Sequence, residues 1–300
     1  MIFILMLIGI MVWHPMAEQL RGQSAMNSLD EKIEKLRPLH RPKRPPEPGD
    51  WLAVHKEPEQ TFEQYIASHP LRPSAKLNTI YVQPIGNLTP GQQNVVNLAV
   101  EYIGSYFNLP VQLLPPLPLE KIPTRARRRH PEWGMEQLLT TYILDEVLVP
   151  HRPKNALALL GLTAVDLWPG MGWNFVFGQA SLSDRVGVWS IYRNGDPDAS
   201  EQEFTICLER TIKTAVHEIG HILGMMHCIA YECVMNGSNH REESDRRPLY
   251  LCPECLKKLC WNLQVDPLAR YEKLVVFCQQ HHLNNYAKFF HDSIQRLRDQ

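Results

Sequence analysis

The central part of the chain opens with alternating strand and helix patterns. β-Branched and aromatic residues in NTIYVQPIG (78–86) predict a strand, because such side chains suit a pleated, half-buried surface. Apolar residues recur at spacings of three and four through GQQNVVNLAVEYIGSYFN (91–108), which predicts an amphipathic helix. VQLLPPLP (111–118) predicts a short strand that ends at its prolines. GMEQLLTTYILDEVLVP (134–150) predicts a second helix that stops at Pro150.

Three strands are predicted next. The continuous apolar run in NALALLGLTAVDLW (155–168) is typical of a central strand that is buried on both faces. WNFVFGQASL (173–182) and VGVWSIY (186–192) predict two more strands, joined by a polar turn. The order of these elements indicates an α/β fold, in which a mixed, α+β-like sheet lies over helices.

The carboxy-terminal part is predicted to be helical. EFTICLERTIKTAVHEIGHILGMMH (203–227) predicts a long helix with an apolar stripe, and Gly224 supplies a natural terminator. Two further helices are expected, one from about Asp266 to Gln279 and one from His281 to the end.

Composition divides the 300 residues into three parts. Residues 1–50 combine an apolar leader with the proline-rich stretch RPLHRPKRPPEPGD, and we expect this arm to be disordered because prolines remove hydrogen-bond donors and block helices. Residues 51–280 are expected to form the compact domain, and residues 281–300 a C-terminal helix.

The apolar leader MIFILMLIGIMVW is too short for a membrane-spanning helix, which needs about 20 residues. It has the length of a signal-peptide apolar region, but no positive residue precedes it and PMA is a poor cleavage site. A signal peptide, an anchor and a variant start are open alternatives. We expect a cytoplasmic protein without stable membrane insertion, and residues 1–17 leave secretion or anchoring open.

Charge and hydropathy are those of a globular protein. Hydrophobic residues make up 44%, charged residues 21%, and the formal net charge is −1. This balance argues against a nucleic-acid partner or a membrane surface bound by bulk electrostatics. The basic cluster RARRRH (125–130) is interpreted as a solvated loop in preference to a patch for anionic substrates.

The stretch HEIGHILGMMH carries the strongest chemical signal. His217 and His221 stand four apart on the predicted helix, so both imidazoles can share one metal ion, while Glu218 can act on a water molecule. Gly224 allows the backbone to turn, and His227 returns as a third nitrogen ligand. A lone HExxH on an apolar helix is often a solvated histidine pair, but HExxHxxGxxH fixes five positions and indicates a catalytic zinc.

Four cysteines follow directly. Cys228 and Cys233 have the spacing Cys-x4-Cys, and Cys252 and Cys255 form CPEC. Four thiolates leave no coordination position for water, so this set predicts a structural zinc that closes the intervening polar loop.

Other readings of the cysteines are kept open. Cys260 and His240 are possible substitutes for one ligand, and Cys207 and Cys278 are expected to be buried or free thiols. Two disulfides in a secreted protein are the alternative to the zinc site, although the total of seven cysteines is odd.

The combined pattern resembles a known family. HExxHxxGxxH followed by Cys-x4-Cys-x-Met and then Cys-x2-Cys is similar to the archaemetzincins, which are metzincin zinc metallopeptidases. GLTAVDLWP, WNFVFGQASL, GSNHREESDRRPL and LCPECLKKL resemble the type-2 archaemetzincins of animals. The resemblance covers about Trp51 to Gln280 and does not include the first fifty residues.

The resemblance implies two zinc ions per chain, one catalytic and one structural. It implies His217, His221 and His227 as ligands of the first, and Cys228, Cys233, Cys252 and Cys255 as ligands of the second. Glu218 would be the catalytic general base and Met235 the methionine of a turn beneath the histidines. A peptide substrate would add antiparallel to an edge strand in 173–182 or 186–192.

The expected function is hydrolysis of peptide bonds by zinc-activated water, with Glu218 as general base. Exopeptidase cleavage of short peptides is one possible form of this activity. The alternative is a zinc-stabilised binding or regulatory protein whose peptidase site is vestigial or occluded. Retention of Glu218 argues against the alternative, because this carboxylate has no structural duty.

Overall fold

The computed structural model describes residues 23–299 and contains two sheets. The strands are β1 (Thr79–Ile85), β2 (Val111–Leu113), β3 (Arg127–Arg129), β4 (Glu136–Leu139), β5 (Ala156–Thr163), β6 (Asp166–Trp168), β7 (Gly178–Ser181) and β8 (Val186–Ser190). The larger sheet has the order β2-β1-β5-β8-β7, and the smaller one β3-β4-β6.

Helices account for most of the remaining ordered backbone. They are α1 (23–36), α2 (Trp51–Val54), α3 (Phe62–Ala67), α4 (Pro90–Phe107), α5 (140–151, with a π-helical turn at Ile143–Leu148), α6 (Glu201–Ile222), α7 (Arg241–Arg246), α8 (Pro253–Leu263), α9 (Pro267–Gln280) and α10 (Asn284–Arg298). Short 3-10 turns occur at Arg37–Leu39, Leu119–Lys121 and Thr124–Ala126.

The larger sheet is mixed. β1, β2, β5 and β8 run parallel, whereas β7 pairs antiparallel with β8 at the edge. All residues of β5 are buried. Leu160 packs into a core with α4 and α6, and its neighbour Leu159 packs into a second core with α5. The predicted α/β class with a central strand buried on both faces is therefore confirmed.

Capping explains where the two central helices begin. Thr89 and Gln92 form a reciprocal capping box at the start of α4, followed by a proline in the first turn. Ser200 accepts a hydrogen bond from the backbone N–H of Glu203 and starts α6. α6 then packs against α4, β7 and β8, so its register relative to the edge strand is fixed.

Residues 23–50 are packed, which corrects the expectation of a disordered arm for this part of the chain. Ile33 and Leu36 are buried in the same core as α6. The backbone of Lys43 donates to Ala230, and Arg41 accepts from Glu232, so the proline-rich stretch is held by hydrogen bonds from distant residues. The predicted leader, residues 1–17, lies outside the described residues.

The C-terminal helix also shares this core. Phe290 and Ile294 of α10 belong to the cluster that contains the apolar stripe of α6. The two expected C-terminal helices are present as α9 and α10.

Three local predictions are wrong. The first part of 134–150 is strand β4, which lies between β3 and β6, and the helix that follows continues past Pro150 to His151. The run 155–168 is two strands in different sheets. RARRRH is not a loop, because Arg127–Arg129 pairs with β4. In each case pairing with distant strands overrides the local pattern.

No helix between residues 23 and 299 is long and apolar enough to cross a membrane.

Candidate active site and cysteine cluster

Three histidines converge at the end of α6. His217 and His221 lie on one face of this helix, with their ring centroids 4.5 Å apart. The helix ends at Ile222, and Gly224 turns the chain with φ of +86°, a conformation that favours glycine. His227 then returns to the pair, with its ring centroid 4.9 Å from that of His221 and 5.3 Å from that of His217.

The Nδ1 atoms of His217 and His221 each form a hydrogen bond with a backbone carbonyl oxygen. Nδ1 of His217 lies 2.9 Å from the carbonyl oxygen of Val234, and Nδ1 of His221 lies 2.7 Å from that of Met225. A carbonyl oxygen only accepts, so both Nδ1 atoms carry the proton and both Nε2 atoms are unprotonated when the rings are neutral. Burial lowers the pKa of both rings, which favours the neutral form.

This arrangement fits a metal ion. The Nε2 atoms of His217 and His221 face each other at 3.0 Å without a proton to share. Two nitrogen ligands on a tetrahedral zinc lie about 3.4 Å apart, given zinc–nitrogen distances of about 2.0–2.1 Å. One ligand atom from each of the three histidines lies within 4.8 Å of the others, so the set can hold one zinc.

Glu57 completes the histidine site, and sequence reasoning did not identify it. Its carboxylate oxygens lie 2.9 and 3.0 Å from Nδ1 of His227. Burial raises the pKa of Glu57, but the hydrogen bond and charge of His227 outweigh it and hold the pKa below the usual range. A carboxylate in this position fixes the ring and would direct Nε2 towards a bound metal.

Glu218 lies against the edge strand. A methyl group on Gly178 of β7 would approach Oε1 of Glu218 to 2.6 Å, so only glycine allows the carboxylate to lie there. Burial raises the pKa of Glu218 to about 8, and the charge of Arg247 acts in the opposite direction. The charge of a bound zinc would act in the same direction as Arg247.

Met235 packs beneath the histidine pair. It is fully buried, and a methyl group on Gly220 would lie 2.5 Å from its sulfur. Gly220 stands between His217 and His221 on α6, so the turn that carries Met235 and the face of the helix that carries the histidines are in direct contact.

A cleft of about 420 Å³ opens beside these groups. The edge strand and the segment that leads into it, including Trp173, line the cleft together with Trp51. The indole of Trp51 meets His227 edge-on at 5.1 Å. Of the two predicted edge strands, 173–182 therefore contains the edge (β7), whereas β8 lies inside the sheet.

The four predicted cysteines form one cluster. Their sulfur atoms lie within 4.8 Å of one another, and Sγ of Cys228 is 3.6 Å from Sγ of Cys252. Sulfur atoms around a tetrahedral zinc lie about 3.8 Å apart, given zinc–sulfur distances of about 2.3 Å. Backbone N–H groups of Met235 and Cys252 point to Sγ of Cys233, as expected for thiolates. The cluster can hold a second, fully coordinated metal.

The remaining candidates lie outside the cluster. Cys207, Cys260 and Cys278 are buried free thiols, and all seven cysteines lack a disulfide partner, which contradicts the disulfide alternative. His240 contacts Asp50 at 2.9 Å and Glu242 at 2.9 Å and helps to hold the N-terminal segment.

Comparison with known proteins decides the family. The sequence model of Peptidase family M54 matches residues 155–260. Human Archaemetzincin-2 is 37% identical over 260 residues, which is 76% of this chain and 71% of the human protein. The chain belongs to the archaemetzincin family. Rat Archaemetzincin-1 is 32% identical over 75% of this chain and 51% of its own.

A solved archaemetzincin shares the fold. The crystal structure of archaemetzincin from Methanopyrus kandleri has a TM-score of 0.51 and 29% identity, and the match covers 64% of this chain and 99% of that one. Membership of this peptidase family supports a zinc metallopeptidase, and a peptidase acts on peptides. The archaemetzincin match at 155–260 includes the histidines and the four clustered cysteines, but Glu57 and Trp51 lie outside it.

Proposed function

We propose that the protein hydrolyses peptide bonds, with a catalytic zinc held by His217, His221 and His227 and with Glu218 as general base. The observation that carries the proposal is the pair of unprotonated Nε2 atoms that face each other at 3.0 Å in a cleft bordered by an edge strand. A buried pair of acceptors is unfavourable unless a cation lies between them.

His217, His221 and His227 would hold the zinc ion, which would supply Lewis-acid chemistry for the peptide carbonyl and would make water more acidic. Glu218 accepts the proton of the attacking water on a carboxylate oxygen and then delivers it to the nitrogen of the leaving amine. Gly178 leaves the space in which this carboxylate lies beside the substrate.

The edge strand orients the peptide. β7 pairs with β8 on one side, and its other side pairs with no strand among residues 23–299. An extended peptide can therefore hydrogen-bond to the free backbone groups of Gly178–Ser181 and run antiparallel to them. The limited volume of the cleft favours short peptides, and we extend the proposal to exopeptidase cleavage of such substrates.

The cysteine cluster would hold the second of two zinc ions per chain. Cys228, Cys233, Cys252 and Cys255 leave no open coordination position, so this ion has a structural role in the proposal. It would join the methionine turn to the start of α8, where Cys252 is the cap residue.

The alternative of a binding or regulatory protein also has an observation in its favour. Trp173, which lines the cleft, stacks on His55 with ring centroids 5.9 Å apart, as expected of an aromatic binding surface. Cleavage of peptides by the unmodified chain decides between the two functions.

Glu218→Gln tests the proposed mechanism. General-base catalysis contributes about 100- to 10,000-fold to the rate, so the variant should cleave a peptide library that much more slowly while its zinc content stays unchanged. His221→Ala should lose zinc and activity together. Glu201→Gln, an exposed change on the same helix, is the control. Equal rates for Glu218→Gln and the parent would refute the catalytic role.

A further inference from the structure

Arg247 is a buried cation in the cleft. It follows α7 and is 4% exposed, yet it lines the cleft together with Thr214, Ser238 and Asn239. Glu218 is the only acidic residue among the described residues that line this cleft. Arg247 therefore gives one end of the cleft a positive charge.

The hydrogen bonds of Arg247 leave donors free. A guanidinium has five N–H donors. Nη1 donates to the carbonyl oxygen of Asn236 at 2.7 Å, and Nη2 donates to Oγ of Ser244 at 3.1 Å. Nε has no partner. Nη1 also lies 3.3 Å from Nδ1 of His217, but that nitrogen donates to Val234 and cannot accept a second proton.

No carboxylate forms an ion pair with Arg247 within the described residues. No oxygen of an aspartate or glutamate in 23–299 lies within 4.0 Å of its nitrogens. A buried charge without a partner is unfavourable, because desolvation is not offset by an ion pair. Burial lowers the pKa of Arg247 to about 10, so the group remains charged near neutral pH. Arg247 is thus a desolvated cation without a direct ion-pair partner, and the charges of Glu218 and Glu243 act on its pKa only from beyond 4.0 Å.

A second guanidinium adds to the charge at this end. Arg241 lies over the ring of Phe177, which lines the cleft, at 4.2 Å from the centroid. Its Nη2 donates to Oδ1 of Asn194 at 3.0 Å, and its Nη1 lies 3.8 Å from Oδ1 of Asp245. Arg193 lies behind Phe175, but Asp166 pairs with it at 2.7 Å. Arg241 is half-buried and Asp245 lies 3.8 Å from its Nη1, so Arg247 is the arginine at this end of the cleft that has no ion-pair partner within the described residues.

We propose that this end of the cleft binds a carboxylate of the peptide substrate and that Arg247 is the residue that selects it. The inference rests on the proposed peptidase function and names its substrate class. The carboxylate is that of an acidic side chain or of the peptide C-terminus. Both present the same planar group, which matches the fork of a guanidinium and forms short charge-assisted hydrogen bonds.

Peptide binding tests the inference separately from cleavage. The full chain with Glu218→Gln, loaded with zinc, is titrated by fluorescence polarisation with labelled peptides. In one set, glutamate replaces glutamine at one position at a time, and in the other the C-terminus is free or amidated. We expect one glutamate position, or the free C-terminus, to bind about 10- to 100-fold more tightly than its neutral counterpart. The two sets identify the source of the carboxylate.

Variants of Arg247 supply the decisive comparison. Arg247→Met should remove the preference for the carboxylate and leave binding of the neutral peptides within about threefold. Arg247→Lys keeps the positive charge but not the planar guanidinium, so its preference for the carboxylate peptide should lie between those of the parent and Arg247→Met. It also provides a test if Arg247→Met does not fold. Arg129→Met, which removes an exposed arginine of β3, is the control.

The outcomes separate the inference from the proposed function. If no peptide pair differs in affinity, or if the preference persists unchanged in both Arg247 variants, the carboxylate site is refuted even when the unmodified chain cleaves peptides. If the preference depends on Arg247 but the unmodified chain cleaves none of the same peptides, the carboxylate site stands and the peptidase function is refuted. An Arg247 with only a structural role would weaken acidic and neutral peptides by the same factor.

Discussion

Glu57 and His227 are 170 positions apart in the chain, yet both carboxylate oxygens of Glu57 lie within 3.0 Å of Nδ1 of His227. Glu57 follows α2 in a segment that precedes the matched peptidase region. Gln60 of the same segment donates to the carbonyl oxygen of Gly224 at 3.0 Å. The N-terminal segment therefore completes the histidine site from outside the motif.

Replacement of Glu57 should weaken zinc binding without unfolding the chain. The negative charge of Glu57 orients His227 and raises the basicity of its ring, and Glu57→Gln removes this charge. Loss of such a partner typically costs about 10- to 100-fold in metal affinity. Competition with a chelator of known affinity measures the effect. Glu59→Gln, an exposed change two residues away, is the matched control and should bind zinc as the parent does. Equal affinities in the two variants would show that Glu57 does not support the site.

The sequence was informative where the chemistry is local. His217 and His221 share one helix, Gly224 and His227 follow within six residues, and the cysteine pairs have short spacings. The α/β class could also be predicted, because the buried strands carry continuous apolar runs. The remaining components come together only through folding.

Residues outside the motif gave no sequence signal. Glu57, Trp51 and Gly178 reach the site from distant segments, and nothing in their local patterns marks these individual residues as part of it. β4 was predicted as helix because its partners in the small sheet are remote in sequence. The packing of the proline-rich arm was missed for the same reason, since its hydrogen bonds go to residues 230–232.

Loss of one of the four clustered cysteines should destabilise the fold more than loss of Cys260. Cys255→Ser removes a ligand from the proposed structural zinc, whose binding contributes on the order of 10 kcal/mol in small zinc modules. We expect one zinc fewer per chain, a lower melting temperature and faster proteolysis within residues 236–251. Cys260→Ser, on the same helix but outside the cluster, should retain both ions. Unchanged metal content in Cys255→Ser would contradict the four-cysteine site.

The packing of the N-terminal arm predicts a specific dependence of stability on pH. His40 is buried edge-on against the stacked rings of Tyr250 and Phe289, and neither ring nitrogen has a hydrogen-bond partner. Burial, aided by the charge of Arg37, lowers the pKa of His40 to about 4. An unfolded histidine titrates near 6.5, so the unfolded chain takes up the proton first as the pH falls. The contribution of neutral, buried His40 to the free energy of unfolding is therefore complete above about pH 6.5 and is lost as the pH falls towards 4.

His40→Phe should remove the pH-dependent contribution of His40 to the free energy of unfolding. Between pH 7.5 and 5 the parent should lose about 2 kcal/mol more free energy of unfolding than His40→Phe, as measured by urea titration at each pH. Release of zinc in acid lowers the stability of the parent and of His40→Phe alike, so it cancels when the two pH-dependent losses of free energy are subtracted. His291→Gln, at an exposed histidine of α10, is the control. Parallel pH profiles for His40→Phe and the parent would mean that the arm does not bury this ring.

The contact between Gly220 and Met235 predicts opposite effects for the same substitution in two helices. An alanine methyl at 220 would lie 2.5 Å from the sulfur of Met235 and 2.9 Å from its methyl carbon, and Met235 is fully buried, so it would have to shift within the core. At Gly104 of α4 the nearest atoms would be at 3.6 Å, an ordinary contact. Alanine favours a helix over glycine by about 1 kcal/mol, so Gly104→Ala should raise the free energy of unfolding.

Gly220→Ala should lower the free energy of unfolding by about 1–3 kcal/mol despite the same helical preference, because overpacking dominates. It should also weaken zinc binding, since the displaced methionine lies beneath His217 and His221. Met235→Ala creates space for the added methyl group, so the double variant should be more stable than the sum of the two single changes predicts. Urea unfolding of the four proteins gives this coupling energy. An additive result would show that the glycine is not needed for the close approach of the methionine turn.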